Sequence, residues 1–278
     1  MIIKEGSEGL AAYNNFWKRT FTSLILIAMV MFSLMWRYTS AAFIFILLVI
    51  ALYEFFFMVE KKGIEIYRNF GMLVGVLISL SIILQIELTI SWQLFLIVLA
   101  IIFLILMQFR RQHTTGAISG ISVTIFGILY VSWFLSFLIR IRYMPDGRNL
   151  LFFLILVTKL GDIGAYLVGS RFGKTPLLTY ISPSKSWEGA WAGLFFSLLG
   201  SLACKPLFYF SYPQLVFLGI FLGILGQLGD LSESLIKRDC GVKDASNLLP
   251  GIGGILDLVD SFIFSAPVFY FYMNIILR

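Results

Sequence analysis

Residues 229–261 read GDLSESLIKRDCGVKDASNLLPGIGGILDLVDS and hold five of the chain's seven aspartates, together with Lys237, Arg238 and Lys243. Asp230, Glu233, Ser234 and Lys237 fall at i, i+3, i+4 and i+7, the spacing of one helix face, while Leu231, Leu235 and Ile236 take the others. A basic loop runs from Arg238 to Lys243. Pro250, Gly251, Gly253 and Gly254 then break the chain before a second apolar segment, which presents Asp257 and Asp260 three apart. The stretch therefore predicts two helices that aim carboxylates at one loop. Mg2+ takes one or two protein carboxylates plus substrate phosphate oxygens, lysine supplies point charge, and glycine amides approach phosphate closely. The spacing suits a phosphate and metal site; taken alone it suits equally a surface loop with ordinary helix-end charges.

Outside this island the chain is strongly apolar. Of its 278 residues 59% are hydrophobic and 13% charged, and the mean hydropathy is +0.93, values that exclude a soluble globular domain. Apolar runs lie near 20–36, 40–58, 70–86, 92–108, 117–139, 149–169, 189–208, 213–235 and 258–277, most of them approaching the ~20 residues of a spanning helix. The expectation is an all-α, polytopic integral membrane protein with about nine transmembrane helices in a single domain over 1–278, with scaffold spans in 20–139 and a catalytic portion in 158–261. The mixed polar residues 1–19 lack the pattern of a removable signal peptide and read as a short cytoplasmic arm. Glu54 and Glu87 sit toward helix ends, where a charged side chain reaches the interface.

Nine spans divide the basic residues unequally. Fourteen lysines and arginines fall on the side of the 229–261 loop, against Arg37, Arg140, Arg142, Arg148, Lys205 and Arg278 on the other, with Lys159 inside a span. Positive charge marks the cytoplasmic side, so the N-terminus and the loop are expected there. The net charge of +6 is spread over short loops between apolar runs, which argues against a nucleic-acid partner. Cys204 and Cys240 are expected near opposite faces, too far apart for a disulfide, and the single histidine, His113, reads as an exposed loop residue.

Within the sixth run Lys159, Asp162 and Tyr166 share a face, and an ionisable pair inside a span marks a functional site or a structural ion pair between helices. Ser182 to Gly189 reads as a polar loop entering a helix, with Ser184 or Ser186 as N-cap, Glu188 in the first turn and Lys185 near amides that accept anions. Gly189 with Gly193, and Gly219 with Gly223, are spaced for close contact between helices of one subunit.

Over 27 residues, Ser234, Lys237, Arg238, Lys243, Asp244, Ser246, Pro250, Gly253, Gly254, Asp257 and Asp260 resemble the signature of the phosphatidate cytidylyltransferases, the CDP-diacylglycerol synthases. Ile252 and Leu258 depart from it, standing where the signature usually has His and Arg. The segment from Gly161 to Lys174 and the SPxKxxEG element, here Ser182 to Gly189, resemble the same family. The resemblance implies transfer of CMP from CTP to phosphatidic acid, giving CDP-diacylglycerol and pyrophosphate at the cytoplasmic face of an inner membrane, in a homodimer. It implies Mg2+, with room for a second cation, on Asp230 and Asp257, with Asp260 as a further ligand. Asp230, Asp257, Lys237 and Lys243 would form the catalytic set, and Lys185, Glu188, Ser182, Arg238, Asp244, Asp162 and Lys159 would bind substrate. The residues also fit a CTP-dependent polyprenol or dolichol-type kinase, and the Lys159 and Asp162 pair beside Gly-interrupted helices fits a secondary transporter.

Overall fold

The computed structural model describes residues 20–86, 90–111, 114–208, 210–250 and 253–276. The N-terminal arm, Glu87, His113, Ile252 and Arg278 lie outside the described residues. Each apolar run becomes one helix: α1 (Thr20–Met35), α2 (Arg37–Lys61), α3 (Arg68–Ile83), α4 (Ile90–Arg110), α5 (Ala117–Tyr143), α6 (Gly147–Phe172), α7 (Trp187–Ala203), α8 (Tyr212–Asp239) and α9 (Ile255–Ile276). The chain is an all-α polytopic membrane protein. Among the described residues six helices are long and apolar enough to cross a membrane: α2, α5, α6, α7 with the 3-10 turn that extends it to Leu207, α8 and α9. At 1.5 Å per residue the 25 residues of α2 span about 37 Å, whereas the 16 of α3 span about 24 Å, short of a ~30 Å hydrocarbon core.

Successive helices alternate in direction, so their connections fall at two ends. At one end lie the α2–α3, α4–α5, α6–α7 and α8–α9 connections, tied by Lys62 to Asp239 and by Arg111 to Glu65. At the other, Arg142 of α5 donates to Ser40 Oγ of α2 at 3.0 Å and Tyr143 to Ile83 O of α3 at 3.3 Å. For the described basic residues this is the division of ends that the charge count assumes. Cys204 and Cys240 are free and lie at opposite ends.

Phe55 and Phe56 of α2, Phe137 of α5 and Phe269 of α9 are buried in the core that joins the first half of the chain to the last. A π-helical turn at Ile128–Trp133 runs within α5, one extra residue that re-aims the side chains beyond it. The small-residue pairs lie in helix contacts as expected: Gly193 of α7 faces Gly161 O of α6, and Gly223 of α8 faces Ser197 of α7. The expected polar loop at Ser182 is instead a strand. Ser182–Ser186 pairs antiparallel with Pro176–Leu178, because Thr175 O accepts from Trp187 N and Glu188 ties down the preceding turn, which leaves the chain extended.

Glu54 departs from its sequence reading. It does not reach out to an interface: it is 3% exposed, and its carboxylate accepts from Ile255 N at 3.1 Å, Leu256 N at 2.7 Å and Ser246 Oγ at 2.5 Å. A carboxylate on the first amides of a helix is favoured by both hydrogen bonding and the helix dipole. Gly254 admits it, since a Cβ there would stand 2.6 Å from Glu54 Oε2. Glu54→Ala strands two buried amides and should cost about 3 kcal/mol, read as a lower unfolding temperature in detergent. Glu54→Gln, which keeps one carbonyl oxygen, should fall between. An Ala variant as stable as the parent would mean that the contact contributes nothing.

Candidate active site at the α8–α9 loop

The last turns of α8 and the first of α9 carry the acidic residues that the sequence placed together. α8 ends in a reverse turn closed by Gly241 N–H to Arg238 O and Val242 N–H to Lys237 O, both 3.0 Å, which sends the loop back across the helix end. The two helices then meet through main chain. A Cβ on Gly229 would lie 2.3 Å from Asp260 O, so only glycine lets α8 come this close.

That approach brings Asp230, Glu233 and Asp260 together, with one oxygen from each lying within 4.8 Å of the others. Glu233 is fully buried. Neither of its oxygens accepts a hydrogen bond, although the Lys237 ammonium stands in ion-pair contact with Oε2. Asp260 is 7% exposed, and its Oδ1 accepts from Ser261 N.

Three lysines stand around these carboxylates. Lys185 Nζ pairs with Asp230 Oδ1 at 2.6 Å and reaches Ser234 Oγ at 3.4 Å. Lys237 bridges Glu233 of its own helix to Asp257 of α9. Lys159 of α6 donates to Asp162 Oδ2 at 2.9 Å, Ser261 Oγ at 2.8 Å and Leu258 O at 3.0 Å, fastening α6 to α9. Five carboxylates, those of Asp162, Asp230, Glu233, Asp257 and Asp260, thus share three ammonium groups. A buried deficit of positive charge lined by hard oxygens suits a divalent cation.

Beside the cluster opens a cavity of about 380 Å³ lined by Asp162, Tyr166, Ser184, Lys185, Gln227 and Asp230, among others. Ser186 caps α7, accepting from Gly189 N at 3.2 Å, and so fixes the strand that carries Lys185. Glu188 accepts from Lys174 N and Thr175 N. Arg238 Nε donates to Ile181 O at 3.1 Å. With the buried Ser182, these two residues hold the hairpin against the helix ends.

The predicted residues therefore separate into groups. Asp162, Lys185 and Asp230 face the cavity, Asp260 joins Asp230, and Lys159 braces them from α6. Lys237 and Asp257 adjoin the cluster, Asp257 Oδ2 also accepting from Gly254 N at 2.7 Å and Ala245 N at 3.1 Å. Lys243 and Asp244 stand exposed on the loop and join none of these contacts. Glu233 was absent from the predicted site, although its i+3 spacing from Asp230 carried the signal. Ser261 and Gln227 had no signal of their own.

The sequence model of the Cytidylyltransferase family matches residues 17–276. A phosphatidate cytidylyltransferase of Synechocystis is 32% identical over 269 residues, covering 86% of this chain and 89% of that protein. An uncharacterized Escherichia coli protein, YnbB, is 38% identical over 164 residues, and a phosphatidate cytidylyltransferase of Staphylococcus aureus is 41% identical over 145. These last two alignments cover 58% and 51% of this chain and span about half, 54%, of either relative. The match over nearly its whole length, on a helical membrane scaffold with the acidic loop intact, places the chain in the cytidylyltransferase family.

Proposed function

We propose that the chain is a nucleotidyltransferase that moves CMP from CTP to phosphatidic acid, giving CDP-diacylglycerol and pyrophosphate. The observation that carries this reading is the cavity beside Asp230, where a lysine and a carboxylate cluster short of positive charge meet at one end of a membrane bundle. The relatives' names supply the substrates, and the cluster supplies a place for their phosphates.

A phosphate oxygen of the lipid attacks the α-phosphorus of CTP, and the bond from that phosphorus to the α–β bridging oxygen breaks. The electron pair leaves on pyrophosphate. The attacking oxygen is already anionic, so no general base is required, and the protein's task is to position and neutralise charge. Lys185 faces the cavity and would exchange Asp230 for the triphosphate. Lys159 holds Asp162 and the first turns of α9 in place. Lys237 keeps Glu233 and Asp257 together across the helix junction.

The donor set of Asp230, Glu233 and Asp260 fits Mg2+, because it offers oxygen ligands, one of them from a buried carboxylate without a hydrogen bond. Such an ion would screen the charge that collects on the phosphates. A second cation would take the place that the Lys237 ammonium holds between Glu233 and Asp257. Asp257 as a direct ligand belongs to that two-cation arrangement. The excess of lysine and arginine at the loop end supports a reading in which the loop and the N-terminus face the cytoplasm, the side that holds CTP, and the family resemblance supports an inner membrane. Assembly as a homodimer rests on the family resemblance.

Purified protein given phosphatidic acid, Mg2+ and CTP labelled at the α or γ phosphate should place α label in lipid and γ label in pyrophosphate. Transfer of γ label to an added polyprenol would establish a kinase instead, and no covalent change in any lipid would leave a transporter. Asp260→Asn and Glu233→Gln should each lower the rate by about 10²-fold or more and raise the Mg2+ needed for half-maximal rate. Variants with the Mg2+ requirement of the parent would remove those residues from the metal set. Lys185→Ala should raise the KM for CTP about tenfold, the loss of one charge-assisted contact.

A further inference from the structure

At the end of the bundle away from the acidic loop, Arg140 of α5 is half-buried and makes no hydrogen bond or ion pair among the described residues, and its Nε is sealed from solvent without a partner. Arginine stays charged under all ordinary conditions, so an enclosed guanidinium donor calls for an acceptor. It lines a cavity of about 280 Å³ with Gln85, Tyr143, Tyr270, Ile82 and Met144, formed where α3, α5 and α9 end. Tyr270 stands ten residues beyond Asp260 on α9, about 15 Å along the helix from the acidic cluster.

The surroundings are basic. Arg37 stacks on the Tyr143 ring at 4.1 Å, Arg142 is held by Ser40 and Leu34 O, and Arg148 lies on the adjoining turn. The only carboxylate among the described residues of this end is Asp146, which accepts from Asn149. The Arg140 guanidinium also lies 5.7 Å from the Phe137 ring and 6.0 Å from that of Tyr270, which holds it over apolar walls at the cavity.

We infer that this cavity binds the phosphodiester head of an anionic phospholipid in the leaflet opposite the active site. A guanidinium fork matches two phosphate oxygens, and the Tyr270 hydroxyl and the Gln85 amide offer further donors. The apolar wall of Ile82 and Met144 suits acyl chain rather than water, which distinguishes a lipid from free phosphate. The surplus of arginine favours a head with net negative charge over a zwitterionic one.

Delipidated full-length protein is supplied with phosphatidylglycerol, phosphatidylcholine or inorganic phosphate, and retained ligand is read by native mass spectrometry. The parent should retain phosphatidylglycerol about tenfold better than phosphatidylcholine, and Arg140→Gln should abolish that preference. Arg140→Lys, which keeps the charge without the fork, should retain an intermediate preference and carries the comparison if the Gln variant fails to fold. Equal retention of the two lipids by the parent overturns the inference. An unchanged preference in both Arg140 variants overturns it as well. Displacement of the lipid by millimolar phosphate would assign the pocket to a free anion and refute the lipid. None of these readouts depends on nucleotide transfer, so failure here leaves the proposed activity standing.

Discussion

The carboxylate of Glu54 joins the two halves of the molecule. It lies on α2, early in the chain, and closes the first turn of α9, near its end. A loop rich in glycine carries a large conformational entropy, and here it is held from both sides: Glu54 takes Ser246 and the start of α9, while Asp257 takes Ala245 and Gly254. The acidic residues beyond Asp257 therefore start from a fixed point. Without that clasp, the positions of Asp257 and Asp260 relative to α8 would rest on the Lys237 bridge, the Lys159 contacts and apolar packing.

The site shows the opposite economy, charge left incompletely balanced. Lys185 and Lys237 each hold a carboxylate from another element, and Lys159 holds Leu258 O and Ser261 Oγ of α9, so the lysines act as struts between α6, the hairpin, α8 and α9. The same ammonium groups are the ones that phosphates would attract. Under the proposed function substrate phosphates would compete with the carboxylates for these lysines, which in the structure offset the repulsion among the carboxylates.

Much of this was legible in the sequence because it is periodic or local. Each of the nine apolar runs is a helix among the described residues, and the i, i+3, i+7 spacing put Asp230, Glu233 and Lys237 on one face. What failed to read was what depends on partners far along the chain. Glu54 and Ser246 are 192 residues apart, so position near a helix end suggested an interface, whereas burial against α9 decided the matter. The run Ser182 to Ser186 is polar and contains a proline, which reads as a loop. Its extended pairing comes from Thr175 and Glu188, whose contacts no local pattern announces. Lys185 carried a signal as a cation but none for Asp230 as its partner.

The contact at Gly229 has a mechanical consequence. Because α8 and α9 meet there backbone to backbone, the gap between Asp230 and Asp260 is set by main-chain contact rather than by the size of intervening side chains. Bilayers vary in thickness, and a helical bundle answers by tilting its members. The short helices α1 and α3 expose many apolar side chains, whereas α8 and α9 are held together at Gly229. That contact favours a spacing between the two helices that does not follow bilayer thickness.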